Sequence, residues 1–97
     1  MELYAILRRG GWATPDDLRD AAKRSTAVGE RLPDEVRWIR SYVTAEQDGS
    51  VGTICIYEAA SPEAIRLHAD QANLPVDEIV KVADTVIVRP DPAYIAT

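Results

Sequence analysis

Ninety-seven residues make one domain, enough for a single modest core and too few for two. Eleven Lys and Arg against sixteen Asp and Glu leave a net charge of −5. That balance carries no basic footprint for nucleic acid and no attraction to an anionic membrane surface. No apolar run approaches a spanning helix, and Met1-Glu2-Leu3-Tyr4 lacks the basic and apolar regions of a signal peptide. The lone Cys55 cannot form an internal disulfide, which fits a reducing compartment. The expectation is a cytoplasmic domain over residues 1–97, with 90–97 as a C-terminal tail.

In chain order, alternation over Leu3 to Leu7 predicts a short strand, which the Arg9-Gly10-Gly11-Trp12 stretch breaks. Thr14 is suited to cap a helix, Pro15 to its first position, and Asp16 and Asp17 to the positive end of its dipole. Leu18, Ala21, Ala22, Ser25 and Val28 give that helix a narrow face of mostly small residues, with Gly29 and Pro33 marking its end. Val36 to Thr44 and Gly52 to Glu58 predict two strands joined by a loop with an Asp48-Gly49 turn signal. Ser61-Pro62-Glu63 starts a second helix and Asn73-Leu74-Pro75 ends it. A fourth strand is expected over about Lys81 to Arg89.

The order strand, helix, strand, strand, helix, strand predicts a ferredoxin-like α+β sandwich. Its βαββαβ chain makes a four-stranded antiparallel sheet with both helices on one face.

Alternation divides the strand residues into two sets. Leu3, Ala5, Leu7, Ile39, Ser41, Val43, Ile54, Ile56, Val86 and Val88 are small and aliphatic, and are expected under the helices. Tyr4, Ile6, Arg8, Trp38, Arg40, Tyr42, Thr53, Cys55, Tyr57, Thr85, Ile87 and Arg89 are expected on the opposite face. That second set is too aromatic for a solvent face and too polar for a core. Two such sheets meeting face to face make a homodimer, in which this face is either an interface alone or also encloses a cavity, with Tyr4, Arg8, Trp38, Arg40, Tyr42, Cys55 and Tyr57 as the candidate lining. Arg8, Arg40 and Arg89 would together favour a small anionic or aromatic ligand.

His68 is the only histidine, and with Ile65, Ala69 and Ala72 it follows an inward helical stripe. A histidine there is read as a hydrogen-bonded core residue, a metal ligand or an acid–base group. A metal would need further ligands, from Glu58, Asp77, Glu78 or a second subunit. Cys55 is read as a small buried hydrophobe rather than a nucleophile. The chain has no phosphate loop, Cys-x-x-Cys pair or nucleophile elbow.

The run Trp38-Ile39-Arg40-Ser41-Tyr42-Val43-Thr44, the strand end Cys55-Ile56-Tyr57-Glu58-Ala59, and His68-Ala69 followed by Leu74-Pro75-Val76-Asp77-Glu78-Ile79 occur in that order. Together they resemble the small bacterial nickel-binding proteins otherwise grouped as a domain of unknown function. The resemblance implies a ferredoxin-like fold, a homodimer forming an α/β barrel, and nickel as the metal, with no organic cofactor. In some members a second histidine stands four places after the first and is followed by glycine. Ala72 and Asn73 hold those places here, so only His68 carries over as a metal residue. The leading expectation is thus a dimeric metal-binding protein. The alternative is a cofactor-free enzyme or ligand-binding protein of the dimeric α/β-barrel type.

Overall fold

A computed structural model describes residues 1–92. The elements are β1 (Glu2–Trp12), α1 (Pro15–Arg31), β2 (Val36–Ala45), β3 (Val51–Ala59), α2 (Pro62–Ala72) and β4 (Glu78–Lys81). The strands form one antiparallel sheet in the order β2-β3-β1-β4, the ferredoxin-like arrangement expected from the element order.

Both helices begin with the cap chemistry their sequences carry. Thr14 Oγ1 accepts from the amide of Asp17, Ser61 Oγ accepts from that of Ala64, and proline occupies the first turn of each. Asn73 closes α2 at φ 54°, a left-handed stop that asparagine tolerates better than most residues. The helix α1 runs through Gly29 to Arg31 before Leu32 caps it, slightly beyond the predicted stop.

Three expectations need correction. First, β1 does not stop at Arg9. It continues to Trp12 through a register irregularity at Gly10, whose φ of 54° suits a residue without a Cβ.

Second, β4 is Glu78–Lys81 rather than 81–89. Asp77 N donates to Leu7 O and Val82 N to Leu3 O, so the segment directly after α2 takes up the free edge of β1. Thr85 to Arg89 then find no strand edge, and Val86, Ile87 and Val88 are each more than three-quarters exposed. Part of the tail predicted over 90–97 lies outside the described residues.

Third, the two faces are exchanged in β1 and β3, while in β2 Ser41 and Val43 lie on the helix side and Arg40 and Tyr42 on the open side as expected. Tyr4, Ile6, Arg8, Thr53, Cys55 and Tyr57 lie under the helices, all buried, while Leu3, Ala5, Leu7, Ile54 and Ile56 line the uncovered face and are half-buried. The physical reason is size complementarity. The inward stripes of the helices are Ala21, Ser25 and Val28 on α1, and Ala64, Ile65, His68, Ala69 and Ala72 on α2. Such small stripes leave volume that only large sheet side chains fill to the density of a protein interior. Tyr4, Ile6, Val36, Cys55, Tyr57, Ala59, Ala64 and Ile65 form the core cluster, with Leu32, Val76 and Ile79 against it.

β2 contains a bulge. Trp38 pairs with Tyr57 and Arg40 with the adjacent Ile56, so Ile39 is an extra residue. Trp38, Ser41 and Val43 therefore share the helix side, whereas Arg40 and Tyr42 stand on the open face.

Candidate functional site

The helices cover β1 and β3 more fully than the edge strand β2, and a cleft remains between α1 and the β2–β3 half of the sheet. Its more apolar part has a volume of about 490 Å³. Trp12, Trp38 and Tyr57 supply aromatic walls, Leu18, Ala21, Ala22 and Leu74 an aliphatic roof, and Ser41, Thr53 and Cys55 a polar floor. A second chamber toward the C-terminal end of α1 includes Glu30, Asp34, Glu58 and His68. Ser25, Trp38, Ile39 and Tyr57 border both.

The floor is an ordered hydrogen-bond row. Trp38 Nε1 donates to Ser41 Oγ at 2.8 Å, Ser41 Oγ to Cys55 Sγ at 3.1 Å, and Cys55 Sγ to Thr53 Oγ1 at 3.2 Å. An indole N–H can only donate, so Trp38 heads the row. Trp38 also lies nearly parallel to Tyr57, with ring centroids 6.2 Å apart.

Deeper under the helices lies a polar layer. Tyr57 Oη and Ser25 Oγ are 3.0 Å apart, and Tyr57 meets the edge of His68 at 5.5 Å between centroids. Burial pushes the Tyr57 hydroxyl above its ordinary pKa. The Nε2–H of His68 donates to the carbonyl of Ser25 at 3.0 Å, which leaves Nδ1 as the lone-pair nitrogen. Burial holds this imidazole below its ordinary pKa, and the positive charge of Arg8 adds to that, against the opposing pull of the Ser25 carbonyl.

Arg8 is 1% exposed and donates through Nη1 to Pro75 O at 2.6 Å. Its charge acts on both Tyr57 and His68. Arg8 Nη2 and His68 Nδ1 are buried without a hydrogen-bond partner among the described residues.

Of the predicted cavity lining, Trp38, Cys55 and Tyr57 border the cleft, while Tyr4 and Arg8 are buried on the same face outside its lining. Arg40 adjoins the cleft through its stretch of strand, but its guanidinium joins Tyr42 Oη on the carboxylate of Asp91. Arg89 lies beyond the sheet, exposed. The three arginines do not converge, because the bulge at Ile39 turns Arg40 outward and β4 ends before Arg89. Ser25 was missed as a site residue. It was legible only as one of the small residues of α1, and its partners are 32 and 43 positions away in sequence.

A metal at His68 fits poorly. Nε2 is engaged, Nδ1 is sealed in the core, and no group of three or more His, Cys, Asp or Glu side chains gathers among the described residues. Asp77, one of the suggested partners, instead accepts from the amide of Arg9.

The chain belongs to the SCO4226-like family, described as nickel responsive protein SCO4226-like, which matches residues 4–82. In three dimensions the chain is similar to the crystal structure of SCO4226 from Streptomyces coelicolor A3(2), with a TM-score of 0.66 and 22% identity over 89% of this chain and 100% of that one. A second similarity is to the C-terminal domain of an ABC transporter ATP-binding protein from Enterococcus faecalis, with a TM-score of 0.41 and 17% identity over 87% and 86%. None of the curated proteins matches.

Proposed function

We propose that this member of the SCO4226-like family is a cytoplasmic homodimer that binds nickel in a nickel response, with the metal shell built from side chains of two copies. The family match over residues 4–82 is the observation that carries the nickel reading. With His68 committed to the core, carboxylates and other oxygen or nitrogen donors supply the shell in this reading, and selectivity among divalent first-row metals comes from geometry and ligand set. Within one chain the required donors are not assembled among the described residues. A second copy is the simplest source of the rest, and the open aliphatic face gives it a place to dock. His68 serves in this reading as a core residue that ties α2 to α1 through Ser25.

Titration calorimetry with nickel, alongside zinc and copper, tests the proposal. Saturable nickel binding is expected in the parent protein and is expected to persist in His68→Ala. Loss of binding in a folded His68→Ala would return the imidazole to the metal shell. Absence of binding in the parent would end the reading of direct nickel coordination.

A further inference from the structure

The lining of the cleft between α1 and β2 has a specific chemistry. In a chain of net charge −5, no Asp or Glu borders the 490 Å³ cavity. Arg19 stands on its lining, itself paired with Asp16, and behind Tyr57 in the wall lies the buried guanidinium of Arg8, whose Nη2 has no partner among the described residues. The volume is in the range of small-molecule sites, and the polar groups are few and convergent, as such sites require.

The floor adds a direction. The row from Trp38 through Ser41 and Cys55 ends on Thr53 Oγ1, which accepts from the thiol and keeps its own proton to give. A chain of donors polarised one way favours an electron-rich acceptor at its end. Packing alone does not call for this arrangement, since an aliphatic floor would fill the same space without buried polar atoms to satisfy. A buried guanidinium with an idle N–H is costlier still unless something compensates it.

We infer that this cleft is a binding site for a small planar aromatic molecule carrying a single anionic oxygen group, a carboxylate or phenolate. The ring lies between Trp12, Trp38 and Tyr57, whose faces supply stacking and edge contacts. The anionic group sits toward Thr53, where the hydroxyl donates and the positive charges of Arg8 and Arg19 favour it. The chamber on the far side of Trp38, where Glu30, Asp34 and Glu58 outnumber Arg37, is net acidic, repels the same group and so orients the ligand. This site stands whether or not the chain binds nickel.

The experiment is calorimetry with 4-hydroxybenzoate, 4-hydroxybenzamide and cyclohexanecarboxylate, paired with NMR of the two indole N–H signals. 4-Hydroxybenzoate is expected to bind saturably at one per chain and to shift both indole signals. The neutral amide and the non-aromatic acid are each expected to bind about tenfold more weakly or worse, the size of a lost charge-assisted or aromatic contact. Ala22→Phe, which fills the cavity from α1, is expected to abolish binding. Arg19→Gln changes an exposed position that cannot threaten folding, and is expected to weaken the benzoate about fivefold while leaving the amide unchanged. Absence of saturable heat with 4-hydroxybenzoate overturns the inference. Equal affinity for the amide, or benzoate binding indifferent to Arg19→Gln or to a folded Ala22→Phe, overturns it as well.

Discussion

His68 is held neutral by its surroundings, and that has a consequence for stability. Its folded pKa is depressed, chiefly by burial, so between that value and the unfolded value near 6.5 the unfolded chain binds the proton more readily. The contribution is complete above about pH 6.5 and is lost as pH falls from there toward the depressed value. It is the only histidine, so the window is little shared with other side chains. The melting temperature is expected to fall between about pH 7.5 and pH 5 in the parent, and to fall less in His68→Gln, whose amide can still donate to Ser25 O. Parallel profiles for the two proteins would refute this account. The inward position of His68 was readable from its spacing with Ile65, Ala69 and Ala72. Its partner was not, because Ser25 arrives from a different helix 43 residues earlier.

At the scale of elements, local chemistry was the legible part and registration was not. Thr14, Ser61 and Asn73 announce the helix ends because capping acts within three or four residues. Alternation divides β1 and β3 correctly into two sets, but it is symmetric and does not say which set is inside. That choice is made by the small side chains of α1 and α2, which need Tyr4, Arg8 and Tyr57 beneath them. The Thr85–Val88 run has strong β character, yet β1's edge is already taken by β4. The bulge at Ile39 leaves no mark in composition, and it alone separates Trp38 from the face of Arg40 and Tyr42.

That bulge yields an unusual expectation. Removing an ordinary residue from a strand flips all that follows to the other face. Removing Ile39 instead leaves Trp38 next to Arg40, already on opposite faces and already paired with neighbours Tyr57 and Ile56. Deletion of Ile39 is therefore expected to be tolerated, with a loss within about 1 kcal/mol for its partly exposed side chain. Deletion of Ile56 from the central strand β3 is expected to prevent folding. Denaturant melts of the two proteins decide the matter, and equal damage from both deletions would mean that Ile39 is not the extra residue.

For the whole molecule, the uncovered face of the sheet is where a second copy is expected to dock. Leu3, Ala5, Leu7, Ile54 and Ile56 lie together there with Val80, and no helix covers them. The expected interface thus moves from the face of Trp38 and Tyr57 to this one, and of those aromatics only Tyr42 remains in it. Beyond β4 the chain carries Val86, Ile87 and Val88 exposed and returns to the sheet at Asp91, which binds Arg40 and Tyr42 on the same open side. A face and a segment with these residues lose about 25 cal/mol for each Å² of apolar surface left in water. A second copy seated on the face would remove that cost and, like a protein core, exclude charge from its centre. Sedimentation equilibrium at low micromolar concentration is expected to find a dimer. Ile56→Lys places an ammonium at the middle of the proposed contact, on the central strand β3, and is expected to give a folded monomer with unchanged far-ultraviolet circular dichroism. A parent protein that sediments as a monomer would remove the dimer, and an Ile56→Lys protein that stays dimeric would place the interface elsewhere.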